Sequence, residues 1–167
     1  MLHTLGVSPS GPPPGAPPPN DAEANIDADS SIEDNKPLIL IADDDLDSRD
    51  RYEYYLRMKG CRIAVAANGD EALKKARKLR PDLIVVDLSV PVRDGPLMGD
   101  RVMGGEKTTR HLKKDAATKK IPVVVLTAHA CNGAEMVRRL RCEGFILKPC
   151  TPEDLLHEVQ RLLKGAK

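Results

Sequence analysis

The chain has 167 residues, 41% of them hydrophobic and 31% charged, which suffices for one domain with its own core. A net charge of +1 and only four aromatic residues, Tyr52, Tyr54, Tyr55 and Phe145, argue against nucleic-acid binding, because neither a strong positive field nor a base-stacking platform is available. No secretory leader is evident, no apolar run nears the roughly 20 residues that span a bilayer, and Cys61, Cys131, Cys142 and Cys150 lack CxxC or zinc-like spacing, so a cytoplasmic protein with free thiols and no membrane contact is expected.

Residues 1–35 read as a disordered tail. Seven of the 14 prolines lie between Pro9 and Pro19, and an acidic stretch runs from Asp21 to Asp34. Such a composition has too little apolar surface to offset the entropy of ordering. The domain is expected over 36–167, with order beginning at Pro37. Leu38-Ile39-Leu40-Ile41-Ala42 is a buried strand running into Asp43-Asp44-Asp45. Three adjacent acids repel, so their pKa values should rise unless a cation or basic side chain intervenes. A helix follows from Asp47 to Lys59, with Tyr52, Tyr55, Leu56 and Lys59 on one face and Gly60 positioned to end it. Cys61–Ala66 is a short strand. Asn68-Gly69 is a turn, and Asp70 is expected to cap a helix whose stripe is Ala72, Leu73, Ala76 and Leu79.

Leu83-Ile84-Val85-Val86 then leads into Asp87. An apolar run this short, between Arg80-Pro81 and Ser89-Val90-Pro91, reads as a strand buried on both faces. Its tip is where open α/β sheets place their ligands. Val90–Gly105, broken by Pro91, Gly95, Pro96, Gly99, Gly104 and Gly105, reads as a long functional or mobile loop. A helix is expected over Glu106–Lys114, and a strand over Val123–Leu126 that Thr127 ends. A short helix over Ala134–Arg141 turns Val137 and Leu140 inward, and Phe145-Ile146-Leu147 is the last strand, closed by Lys148-Pro149. The final helix starts at a Thr151 cap followed by Pro152, Glu153 and Asp154, and buries Leu155, Leu156, Val159, Leu162 and Leu163.

Strands and helices alternate five times, the pattern of a five-stranded, parallel, doubly wound α/β sheet with helices on both faces. Right-handed crossovers bring all strand C-termini to one edge, so Asp43, Asp44, Asp87, Thr127 and Lys148 should meet there. Three carboxylates suit a hard divalent cation such as Mg2+. A lysine ammonium and a threonine hydroxyl suit phosphoryl oxygens. No histidine stands beside a nucleophile. The set fits phosphoryl transfer onto a carboxylate, in which positioning and charge neutralisation dominate.

With these motifs, Ile-Ala-Asp43-Asp44-Asp45, Val-Val-Asp87-Leu-Ser-Val-Pro91, Val-Leu-Thr127-Ala128 and Leu-Lys148-Pro149, residues 37–164 resemble the receiver domain of two-component response regulators. The resemblance implies the flavodoxin-like strand order 2-1-3-4-5 and a cis Lys148–Pro149 bond. It implies that Asp87 is the phosphoacceptor for a histidine kinase or histidine phosphotransfer protein. It implies that Asp43, Asp44, Asp87 and the backbone carbonyl of Ser89 hold Mg2+. Thr127 and Lys148 would bind phosphoryl oxygens, and Thr127 with Phe145 would form a switch. That switch would signal through the last two helices and the last strand to a downstream target protein. No output domain follows Lys167, so a stand-alone regulator is expected, acting by docking or phosphorelay, with at most self-phosphorylation and autodephosphorylation activity.

Departures from the family pattern are visible. An insertion is expected at Pro96–Gly105, the segment Ala134–Glu143 lacks the glycine that usually ends the fourth helix, and Phe145 has no hydroxyl to hydrogen-bond. His129 occupies a position that tunes phosphoryl hydrolysis in the family. Two rival readings stand beside this one. The chain could be a phosphorylation-independent pseudo-receiver that acts only as a binding module. Asp43-Asp44-Asp45-Leu46-Asp47 also resembles the nucleophile motif of haloacid-dehalogenase-type phosphatases, which need a further acidic strand end after the lysine.

Overall fold

The computed structural model describes residues 35–91, 104–128 and 133–165. The tail up to residue 34, most of the expected insertion and His129 lie outside them. The elements follow the expected alternation: β1 (Leu38–Ala42), α1 (Leu46–Met58), β2 (Arg62–Ala66), α2 (Gly69–Leu79), β3 (Leu83–Asp87), α3 (Gly104–Lys114), β4 (Val123–Thr127), α4 (Gly133–Leu140), β5 (Gly144–Leu147) and α5 (Pro152–Gly165). The strands form one parallel sheet in the order β2-β1-β3-β4-β5. None of the described helices is long and apolar enough to cross a membrane.

Period-two alternation along the strands divides the core into two layers. Leu40, Ala42, Ile84, Val86, Val123 and Val125 face α2, α3 and α4, and pack with Ala72, Ala76, Leu112, Met136 and Leu140. Ile39, Ile41, Leu83, Val85, Val124 and Leu126 face α1 and α5, and pack with Tyr52, Leu56, Leu155 and Val159. Every residue of β3 and β4 is buried, as a central strand covered on both sides requires.

Helix ends are set by local caps, though not always at the expected residue. Asn68 caps α2 in place of the expected Asp70, its Oδ1 accepting from Glu71 N at 2.9 Å. Leu79, expected in the apolar stripe, is exposed, because it is the last residue of its helix and lies beyond the sheet. Thr151 caps α5 as expected, in a reciprocal pair: Asp154 N donates to Thr151 Oγ1 at 3.1 Å, and Thr151 N donates to Asp154 Oδ2 at 2.8 Å. Leu162 and Leu163 end only half-buried, at the margin of their layer. Gly60 takes the left-handed conformation at φ 87°, as read from its position.

Arg80 and Arg141 adopt the same left-handed region, at φ 47° and 56°, after α2 and α4. The missing glycine after the fourth helix therefore does not abolish the turn. A non-glycine residue simply occupies it. Left-handed backbone costs an L-residue about 1–2 kcal/mol, partly offset by the greater freedom glycine loses on folding. Arg141→Gly is expected to raise stability by about 0.5–1 kcal/mol. A urea melt that moves the other way would show that the guanidinium contributes more than the backbone costs.

Candidate functional site

Four of the five strands, all but β2, deliver side chains to the same edge. β1 ends at Ala42, and the next residue, Asp43, is wholly buried, with its amide donating to Ala66 O on β2 at 3.1 Å. β3 ends on Asp87, also buried. β4 ends on Thr127, buried, and Thr127 O accepts from Lys148 N at 2.8 Å, which ties the fourth strand tip to the fifth. Side-chain oxygens of Asp43, Asp44 and Asp87 all lie within 4.8 Å of one another. Lys148 Nζ donates to Asp87 Oδ2 and, at 3.3 Å, to Asp43 Oδ2. The expected convergence of Asp43, Asp44, Asp87, Thr127 and Lys148 is therefore found.

The third acid of the run goes elsewhere. Asp45 caps α1, accepting from Ser48 N at 3.2 Å, while its own amide donates to Asp43 Oδ1 at 2.9 Å. The expectation that all three pKa values rise fails here for that reason. Hydrogen bonds from Ser48 hold the Asp45 carboxyl below the usual range. Asp43 behaves as expected. Burial pushes its pKa up, and the Asp87 charge adds to this, against the opposing Asp45 amide and Lys148. Burial alone would depress Lys148, but its hydrogen bond to Asp87 and the charges of Asp87 and Asp43 outweigh burial and carry its pKa above the ordinary lysine value. At neutral pH the ammonium is thus charged, and it is the fixed counterion of the pocket.

Ser89 stands in the exposed turn after β3, where its amide donates to Asp87 Oδ1 at 3.0 Å and orients the carboxylate. The turn is backed by the start of α3, which the sequence pattern assigns to the loop. Gly104 and Gly105 are helical, and Gly105 N donates to Leu88 O at 3.2 Å. A Cβ on Gly105 would fall 2.3 Å from Asp87 O and 2.4 Å from Leu88 Cα, so only glycine permits this approach. These two glycines are the positioning residues that sequence reasoning missed. A Gly-Gly pair next to a helical stretch was the available signal. Gly105→Ala is expected to cost about 3 kcal/mol, since backbone rather than a flexible side chain is in the way. Unchanged thermal stability of that variant would refute the packing argument.

Phe145 and Thr127 share a side of the sheet. Phe145 pairs with Val125 and Leu147 with Thr127, so residues 125, 127, 145 and 147 project from one face. The Phe145 ring lies against the first residue of α4, where a Cβ on Gly133 would come within 2.7 Å of its Cε1. On the opposite layer, Tyr52 Oη and Cys150 Sγ are 3.1 Å apart, a link between α1 and the turn after Lys148 that no local pattern announced. Burial, then the Cys150 contact and charge, push the Tyr52 phenol well above its usual range. The Lys148–Pro149 bond is cis. Beside the carboxylates opens a cleft of about 390 Å³, lined in part by Ser48, Arg51, Ala128, Lys148 and Cys150.

An open parallel sheet thus carries an acidic trio, a threonine and a lysine at its C-terminal edge. Among the described residues no acidic strand end follows Lys148, only α5, so the dehalogenase-type reading finds no fourth position. Residues 39–160 match the family model of the response regulator receiver domain, and the chain belongs to that family. It is 30% identical over 132 residues to the polar-differentiation response regulator DivK of Brucella anthropi, covering 78% of this chain and 98% of that protein. The chain spans about half the length of the transcriptional regulatory protein PrrA of Mycobacterium tuberculosis, which it matches at 32% identity. Among solved structures, chemotaxis protein CheY4 of Vibrio cholerae aligns with a TM-score of 0.65 at 28% identity, over 75% of this chain and 98% of that one. The receiver domain of sensor histidine kinase PA1611 from Pseudomonas aeruginosa, which carries a magnesium ion coordinated in its active site cleft, aligns with a TM-score of 0.65 at 25% identity, over 77% of this chain and 98% of that one.

Proposed function

We propose that Asp87 accepts a phosphoryl group from the phosphohistidine of a histidine kinase or histidine phosphotransfer protein. The observation that carries this reading is the Lys148 ammonium hydrogen-bonded to both Asp43 and Asp87, with Asp44 oxygen within 4.8 Å of theirs. An Asp87 carboxylate oxygen forms a bond to phosphorus as the P–N bond of the phosphohistidine breaks, and the imidazole leaves with a proton. The product is an acyl phosphate. Little covalent assistance is needed, so the residues act by position and charge. The amide of Ser89 and the ammonium of Lys148 orient the nucleophile before the donor arrives. Thr127 offers one hydroxyl donor to a phosphoryl oxygen.

The donor set is oxygen-only and acidic, and the raised Asp43 pKa marks a carboxylate in need of positive charge. This fits Mg2+, which would be held by Asp43, Asp44, Asp87 and the Ser89 carbonyl. When bound, the ion supplies charge for the phosphoryl oxygens. The phosphoryl group carries up to about two negative charges, in place of the one that the Asp87 carboxylate loses as its oxygen is esterified. Movement of the Thr127 hydroxyl toward them frees space on the face it shares with Phe145, whose ring rests on α4. The signal then reaches the surface of α4, β5 and α5, where a downstream target docks. The receiver domain spans 36–167, preceded by the Pro-rich and acidic lead, and it works in the cytoplasm, where Cys61, Cys142 and Cys150 stay free thiols. Nothing in the site favours the phosphorylation-independent reading, since every position of the set is filled. Incubation with a small phosphodonor such as phosphoramidate tests this: one phosphoryl group is gained with Mg2+ and none after chelation. Labelling indifferent to chelation would defeat it.

A further inference from the structure

The charge of this chain is unevenly divided. All 26 Lys and Arg residues follow residue 34, whereas Asp21, Glu23, Asp27, Asp29, Glu33 and Asp34 place six of the 25 acids before it. Residues 35–167 therefore carry 26 bases against 19 acids, an excess of +7 in a chain whose total is +1. The phosphoacceptor edge is acidic, so the excess lies elsewhere.

Helices α2, α3 and α4 return antiparallel to the strands, and their C-termini lie on the edge opposite Asp87. All three end in basic residues, among them Lys78 on α2, Lys114 on α3 and Arg138 on α4. Complementing the helix dipoles accounts for these. It does not account for Lys119 and Lys120, which lie beyond α3, whereas Arg80 is the residue that caps the end of α2. α2 and α3 are joined at this end by Arg77 Nε donating to Asp115 Oδ2 at 2.5 Å. Lys78, Arg80, Lys114, Lys119 and Lys120 around that pair are exposed and make no ion pair among the described residues.

The acidic segment enters the fold on this same edge. Leu38 N donates to Asp82 Oδ2 at 2.7 Å, and Asp82 N donates to Leu38 O at 2.8 Å. The start of β1 is thereby pinned two residues from Arg80. We propose that the acidic segment 21–34 docks on the basic edge formed by Lys78, Arg80, Lys114, Lys119 and Lys120 of its own chain. This docking is independent of the role of Asp87. Fourteen residues span up to about 46–50 Å when extended, ample to cross the ends of α2 and α3. Tethering at residue 35 supplies an effective concentration of order millimolar, which compensates for ion pairs that are individually weak at a wet surface. With Ile26 and Ile32 its only large apolar residues, the segment is held by charge and not by packing. An external acidic partner would then have to displace it to reach this edge.

Zero-length carbodiimide cross-linking of the full chain at low salt, followed by peptide mass spectrometry of the monomer, tests the proposal. Acids of 21–34 should be joined to Lys78, Lys114, Lys119 and Lys120 at least about five-fold more often than to Lys59 and Lys164, which share the edge but flank the other layer of helices. The excess should vanish in about 0.5 M salt, where the Debye length falls to about 4 Å. Equal yields at all six lysines overturn the proposal, as does insensitivity to salt. Cross-links confined to covalent dimers would seat the segment on a second copy and overturn it too.

Discussion

Asp87→Asn takes up no phosphoryl group from a small phosphodonor under conditions in which the wild-type chain is labelled to completion. The change keeps size and shape but replaces the nucleophilic carboxylate with an amide, whose oxygen is a poor nucleophile at phosphorus. That amide oxygen is still able to accept from Ser89 N, so the turn at the end of β3 is retained. The buried like charge facing Asp43 disappears as well. The fold should therefore survive, and the loss should be of labelling alone, by at least about a hundred-fold, the scale on which removal of a reacting group is felt. Mass spectrometry of the intact chain checks it. Full labelling of Asp87→Asn would move the phosphoacceptor to another carboxylate of the cluster, Asp43 or Asp44.

Lys148→Ala is expected to destabilise the metal-free protein by about 2–3 kcal/mol at neutral pH, less than the 3–5 kcal/mol of a fully buried pair because the lysine side chain is 21% exposed. The carboxylates it leaves behind are 0% and 4% exposed, so water cannot replace the ammonium. The pH dependence has a definite sign. The folded pKa of Lys148 lies above its unfolded value, so its contribution is fully present below about 10.5 and is lost only as pH rises through the folded value. The folded pKa of Asp43 is also raised, so its ionisation costs stability as pH rises through that value, and protonation restores it toward 3.8 and below. The deficit of Lys148→Ala should therefore shrink between pH 7.5 and pH 4.5, as Asp43 takes up a proton. Adding Mg2+ at pH 7.5 should close part of the gap as well, because a divalent cation and the ammonium neutralise the same carboxylates. Urea melts at the two pH values, with and without Mg2+, test both statements. A deficit that ignores pH and Mg2+ alike would mean that Lys148 matters for packing and not for charge.

The amino-acid sequence by itself determined the five strands, their alternation with helices and the edge on which the acids, Thr127 and Lys148 would meet. The physical reason is that a strand covered on both faces must be a short continuous apolar run, and that right-handed crossovers leave parallel strands only one edge for all their C-termini. What only the tertiary structure decided depends on contacts across long stretches of chain. Gly104 and Gly105 became the first turn of α3, because the backbone at Asp87–Val90 passes too close for any side chain. Tyr52 met Cys150 across 98 residues of sequence. Local propensity contains none of these, since each is fixed by which distant atoms arrive at the same point once the two layers have packed.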